Sequence, residues 1–404
     1  MSTMLNLSKL MDTESGYLSA LSVAHQDRQV LSRAREEIRD TLRDAFNNSS
    51  SFVAKVELRD SRVSASPLQL QLPTPKFRIQ GSFAYHTPND CQYPPKQQID
   101  QDDGVFLPLS FVTSKGRDRP AIASSAYFLL VERALEPLCE RRRWILNPKK
   151  KKGSCVRVQL SDRLHIDLPL YAVRDSAFEQ MIEFSALNSV QKALIRDAVE
   201  LDERVYRDLA EAGIVLAHRD EQWIQSDPRR IERWFDAAVN LYGPVIRDLS
   251  RAVKGLRDAK FNDDLTSICI MASVVRAVES SSQIDPKRFD VALAEITNEM
   301  ARRIEEPVKN PAFPNDPSKN LCAGWDPEFR AQVKDLFLEA SSHLDRAMNG
   351  TYNKAIAISH ARDAFGNRVP DREDLIVLGS ASANIRKQEP DPQPKPLVPR
   401  TRSG

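Results

Sequence analysis

The chain has 404 residues, and 58 lysines and arginines against 56 aspartates and glutamates leave a formal net charge of +2. So even a balance excludes a bulk polyanion binder, whose surface carries a large basic excess, and the length suggests about two domains. The 13 glycines include no GxG and no GxxxxGK[ST], which excludes the dinucleotide-binding fingerprint and the P-loop. Cys91, Cys139, Cys155, Cys269 and Cys322 lie far apart with no CxxC, so they read as unpaired thiols of a reducing compartment rather than zinc ligands. There is no HExxH, no apolar run of membrane-spanning length and no signal-peptide pattern, so the expectation is a cytoplasmic protein with no membrane partner.

In chain order, Val30, Ala34, Ile38 and Leu42 recur at helical spacing and predict a long amphipathic helix over 26–46. The period changes to two at Phe52, Ala54, Val56 and Leu58, and again at Leu68, Leu70 and Leu72, which predicts short strands among prolines. A loop with Pro88, Pro94 and Pro95 leads into the acidic-to-apolar stretch Ile99–Val112. A helix is expected over Ser124–Ile145, then a strand pair over Val156–Leu160 and Leu164–Tyr171. From residue 176 the pattern is helical over 176–212, 228–259, 264–281, 285–304 and 326–348, with a proline-broken loop from Pro307 to Pro317. Residues 388–404 hold five prolines and no periodicity, and predict a mobile tail.

The chemistry concentrates in Gln80-Gly81-Ser82-Phe83-Ala84-Tyr85 and Ile99-Asp100-Gln101-Asp102-Asp103-Gly104. In a strand, residues i and i+2 share a face, so Asp100 and Asp102 present two carboxylates side by side. Such a pair repels itself unless a cation neutralises it, and hard oxygen donors suit Mg²⁺. Asp167 stands among apolar neighbours in a strand, where an acid is costly unless paired or metal-bound. Three carboxylates on adjacent strands are what two-metal phosphoryl transfer requires. Gly81 and Ser82 would let backbone and hydroxyl approach a phosphate. A lone DxD is more often a solvated turn; the order GS, DxD, then a strand Asp turns the reading toward nucleotidyl transfer.

These stretches, with Trp223-Ile-Gln-Ser-Asp-Pro228, Leu256-Arg-Asp-Ala259 and Ala364-Phe-Gly-Asn-Arg-Val369, make the chain similar to the bacterial CD-NTase family of cyclic oligonucleotide synthases. It most resembles the clade that makes cyclic GMP-AMP. The resemblance implies an α+β fold: a polymerase-β-like nucleotidyltransferase core over 1–175, a helical domain closing the nucleotide cleft over 176–387, and a flexible tail over 388–404. It implies ATP and GTP as substrates, two Mg²⁺ ions on Asp100, Asp102 and Asp167, and nucleotide contacts from Gln80, Gly81, Ser82, Tyr85, Arg157, Ser226, Lys254 and Ser267. It also implies a product that reaches an anti-phage effector, no activation by DNA, and Gly404 as an attachment point for ubiquitin-like conjugating enzymes. One departure stands out: the loop Glu305–Phe313, where the clade carries a guanine-reading Asp, has Asn310 and no Asp. A basic run, Arg141–Arg143 then Lys149–Lys152, reads as a solvated turn or as a phosphate-attracting rim. The rivals are a template-free polymerase or nucleotidyltransferase acting on RNA or an antibiotic, a synthase of different base choice, and a catalytically dead nucleotide sensor.

Overall fold

A computed structural model describes residues 3–48, 72–91, 97–112, 124–148, 153–181, 214–220, 222–260, 265–281 and 284–379. The expected strands over 52–58, most of the helix over 176–212, Lys149–Lys152, and the tail with Gly404 lie outside these residues.

The chain opens with strand β1 (Leu5–Asn6) and two single-turn helices, α1 (Ser8–Met11) and α2 (Tyr17–Ala20), before the long helix α3 (His25–Asn47). The buried line of α3 is Leu31, Ala34, Ile38, Leu42 and Phe46, while Val30 is 40% exposed, so the apolar stripe begins one residue later than the sequence spacing suggested. Strand β2 (Lys76–Gln80) runs straight into helix α4 (Gly81–Ala84), and the chain returns as β3 (Ile99–Pro108) and α5 (Leu109–Val112). Helix α6 (Ser124–Arg142) precedes β4 (Ile145–Leu146), β5 (Cys155–Gln159), β6 (Leu164–Val173), β7 (Val215–Ala217) and β8 (Trp223–Gln225). The sheet has the order β2-β3-β6-β5-β4, with β7 also on β6 and β8 on β7. The β3–β6 pair is parallel and the other pairs are antiparallel, so the sheet is mixed. All ten residues of β6 are buried, which its central position between β3 and β5 explains.

The helical half contains α7 (Pro228–Tyr242), α8 (Val245–Lys260), α9 (Ser267–Ser280), α10 (Phe289–Arg302), α11 (Pro327–Asn349) and α12 (Lys354–Phe365), closed by β9 (Val377–Leu378). The single helix expected over 228–259 is two, because Gly243 sits at φ +91° and Pro244 follows it.

The expected division into 1–175 and 176–387 is crossed at both ends. Leu5, Leu7, Leu10, Met11, Tyr17, Leu18 and Leu21 belong to the core of the helical lobe, and β1 pairs with β9. Each such side chain contributes about 1.5–3 kcal/mol when buried. Gly255 makes the docking possible, since a Cβ there would collide with Tyr17 Oη and Leu21. In the other direction, β7 and β8 extend the nucleotidyltransferase sheet from beyond residue 175.

A buried carboxylate fixes the N-terminal segment. Asp290, fully buried on α10, accepts the Leu7 N–H at 2.7 Å and the Ser8 hydroxyl at 2.7 Å, and Arg288 reaches both its oxygens. Asp290→Ala strands these donors, so a urea titration should show a loss of about 3 kcal/mol.

Candidate active site

The register of the sheet brings the sequence-separated acids together. Gln80 of β2 is opposite Asp102 of β3, Asp102 is opposite Asp167 of β6, and Asp167 is opposite Arg157 of β5. One step along, Asp100 is opposite His165. Strand alternation then sorts the four residues 100–103 into two faces. Asp100 and Asp102 are half-buried and line a cleft of about 820 Å³ between the sheet and the helical lobe. Asp103 faces the other way, fully buried, and receives Arg39 of α3 through Nε at 2.8 Å and Nη2 at 2.6 Å. The third acid of the motif is therefore a tether for α3.

Asp167, 3% exposed at its side chain, is gripped by Arg157 through Nε at 2.6 Å and Nη2 at 2.7 Å. This pairing answers the cost of a buried carboxylate without a metal, and Arg157 itself lines the cleft. His165 is a site residue to which the sequence alone assigns no role. Its Nε2 lies 2.9 Å from Asp100 Oδ1, at an angle that makes no hydrogen bond, so both buried atoms remain without a hydrogen-bond partner. The signal was legible as a histidine two residues before Asp167, hence on the same strand face.

Ligand atoms of Asp100, His165 and Asp167 fall within 4.8 Å of one another. A carboxylate-rich cluster of this kind, with an orphaned buried oxygen on Asp100, fits a divalent cation. Asp102 reaches the same cleft from the next position on that face of β3.

Gly81 has φ +64°, a region that favours glycine, and a Cβ there would fall onto Asp102 Oδ2. Ser82, on α4, lines the cleft, as does Tyr85, whose ring packs edge-on to Phe235 of α7 with centroids 6.3 Å apart. From the helical lobe come Lys254 and Ser267, the first residue of α9. The sequence reading assigned no role to Arg257, which also lines the cleft and donates to Ser267 Oγ at 3.2 Å and to Gln97 Oε1 at 3.1 Å.

Two expected nucleotide contacts are placed elsewhere. Gln80 is buried beneath the cleft and accepts the Tyr171 hydroxyl at 3.1 Å. Ser226 stands outside the cleft lining, at the junction of β8 and α7, where its N–H donates to the Ile214 carbonyl. Asn310 uses its side-chain oxygen to accept the Ala312 N–H at 2.9 Å, a local turn bond.

Lys254 is almost fully buried, and its Nζ donates to the Thr87 carbonyl at 2.7 Å, so it holds the loop that joins α4 to β3. Burial, with Arg257 adding to it, lowers its pKa from 10.5 to about 8. Below pH 8 the ammonium is charged in both the folded and unfolded chain, and folding bears its full desolvation cost. As pH rises from about 8 to 10.5 the folded lysine is neutral while the unfolded one still holds its proton, so stability rises with pH over that window. Lys254→Met should lack this rise, on the order of 3 kcal/mol, in chemical denaturation series at pH 7 to 10.

Residues 75–171 fit the family profile described as "Cyclic GMP-AMP synthase DncV-like, nucleotidyltransferase domain". A cyclic GMP-AMP synthase of Vibrio cholerae is 30% identical over 339 residues, covering 80% of this chain and 74% of that protein. The chain belongs to the DncV-like nucleotidyltransferase family. A second relative of this DncV-like chain, a cyclic GMP-AMP synthase of Escherichia coli, is 26% identical over 96% of this chain and 94% of its own length. The fold agrees as well. The Vibrio cholerae di-nucleotide cyclase DncV, solved as a double aspartate-to-alanine mutant, superposes with a TM-score of 0.74 at 23% identity, over 93% of this chain and 99% of that one. The same cyclase in complex with the linear intermediate pppA(3′,5′)pG gives 0.72 at 23% identity, over 93% and 99% of the two chains. The DncV-like chain thus has the polymerase-β-like nucleotidyltransferase fold. Among its described residues no helix is long and apolar enough to cross a membrane.

Proposed function

We propose that this nucleotidyltransferase joins ATP and GTP into cyclic GMP-AMP, releasing two pyrophosphates. The observation that carries the reading is the line of Asp100 and Asp102 beside Asp167 on one sheet face, opening on a cleft whose far wall is the helical lobe. The names of the relatives supply the product, and the Vibrio cholerae cyclase has been solved with ATP and GTP bound.

Asp100, Asp102 and Asp167 would hold two Mg²⁺ ions, which when bound neutralise triphosphate charge and acidify the attacking hydroxyl. In each step the ribose hydroxyl of one nucleotide attacks the α-phosphorus of the other. A new P–O bond forms, the bond to the β-phosphate oxygen breaks, and pyrophosphate leaves. Ser82 donates to the triphosphate at the mouth of the cleft. Arg157 and Arg257 supply fixed positive charge near the reacting phosphates, and Tyr85 offers an aromatic face to a base. After the first step the linear dinucleotide turns over and the same residues close the ring. The same reading makes the product a cytoplasmic second messenger for an anti-phage effector, and makes Gly404 the point at which a ubiquitin-like conjugating enzyme acts.

Purified protein incubated with all four nucleoside triphosphates and Mg²⁺ should yield one cyclic dinucleotide of A and G by mass spectrometry. Digestion with a 3′–5′-specific nuclease then separates two 3′–5′ bonds from a mixed linkage. Long homopolymers would replace the reading with that of a template-free polymerase, and a cyclic product lacking G would leave the enzyme class standing and change the base choice.

A further inference from the structure

The helical lobe carries a second cluster of metal-ligating groups, on the side chains that join α11 to α12. His343 projects from α11, and His360 and Asp363 stand three residues apart on α12, hence on one helix face. One ligand atom from each lies within 4.8 Å of the other two, and His343 Nδ1 is 4.0 Å from Asp363 Oδ2. The imidazole rings lie 5.7 Å apart, tilted by 50°. The Nδ1 atoms of both histidines are buried and have no hydrogen-bond partner. An orphaned buried nitrogen is costly, and two such histidines clustered with the Asp363 carboxylate form a donor set that a cation satisfies.

We propose that His343, His360 and Asp363 form a second metal site, separate from the cleft, that takes a borderline transition-metal ion of the Zn²⁺ class. Two imidazole nitrogens and one carboxylate suit Zn²⁺ or Co²⁺, whereas Mg²⁺ and Ca²⁺ favour all-oxygen shells. Zn–N and Zn–O bonds of about 2.0–2.1 Å place tetrahedral ligands ~3.3 Å apart, so the cluster closes by about an ångström on binding. Asp363 has the freedom to do this, since its side chain is 55% exposed. The ion would clip the exposed edge of α12 to α11, whose inner faces already share Leu344, Ala347, Ala357 and Ala361 in the lobe's core. It would act on the stability of the lobe and take no part in nucleotidyl transfer.

The test uses the full chain carrying Asp100→Asn and Asp102→Asn, with reduced thiols, so that the cleft contributes least to binding. Titration with Co²⁺ alone, then displacement by Zn²⁺, is followed by visible absorption and by calorimetry. One equivalent should bind with a spectrum of nitrogen and oxygen ligation. Affinity should fall roughly 100-fold in His360→Ala and at least about 10-fold in the surface change Asp363→Asn, with circular dichroism unchanged. Zn²⁺ should raise the melting temperature of the parent and leave that of Asp363→Asn where it was. Equal affinity in parent and both variants, or no saturable binding at micromolar metal, overturns the proposal.

Discussion

Exchange of Asp102 for asparagine is expected to lower nucleotide turnover by about three orders of magnitude while the melting temperature stays near that of the parent. The loss corresponds to about 4 kcal/mol of transition-state stabilisation. The contrast that makes this decisive is one residue away. Asp102 lines the cleft, but Asp103 points to the opposite face and anchors Arg39 of α3. Asp103→Asn should therefore lower stability by about 2–3 kcal/mol and leave turnover per folded molecule nearly intact. Pyrophosphate release and calorimetry on the two variants separate the effects. If Asp102→Asn kept its activity, or if both variants lost activity and stability together, the division of the motif between chemistry and support would be wrong.

The next largest effect is expected at Gly81, where alanine should cut kcat by roughly 100-fold or more. Two penalties act at once. An L side chain at φ +64° is strained, by about 1–2 kcal/mol, and its Cβ falls on Asp102 Oδ2. The carboxylate oxygen is the movable partner, so the change displaces the acid rather than unfolding the sheet. The signature is a loss in kcat larger than any change in KM. An alanine enzyme with wild-type kcat would show that Asp102 does not need this position.

What could be read before folding follows from period and spacing. The DxD face, Asp167 on a second strand, and α3, α9, α10 and α11 all follow from local alternation or helical repeat, which burial of one face imposes on the residues themselves. The strand β6 was legible from the apolar residues around Asp167, but its parallel pairing with β3 was not, because parallel register involves residues 65 positions apart, as Asp102 and Asp167 are. That pairing is what brings His165 to Asp100, so the histidine was missed with it. Helices α1 and α2 have a single turn each and no period to read, and α12, at 12 residues with its polar and apolar positions interspersed, went unassigned. The split at Gly243-Pro244 carried a plain signal that the continuous periodicity of 228–259 overrode. The expectation for Ser226 rested on similarity alone, with no spacing to support it, and its place at the junction of β8 with α7 is outside the residues that line the cleft.

The pairing of β1 with β9 has a bearing on how the chain acquires its structure. Leu5 finds Leu378, and the Met4 carbonyl finds the Gly379 N–H, so the helical lobe encloses the first and the last described segments of the sequence. During synthesis the sheet lobe emerges first and can assemble on α3, while residues 5–21, made earlier still, wait with their apolar side chains uncovered until α8, α10 and α12 exist. Closing a loop of this length is slow, and the waiting segment is what a chaperone would meet. An excised helical half starting at Pro228 would lack Tyr17 and Leu21 on Gly255 and would expose the groove they fill. The two lobes are consequently partners in folding as well as walls of one cleft, and a single melting transition is the behaviour such interleaving dictates.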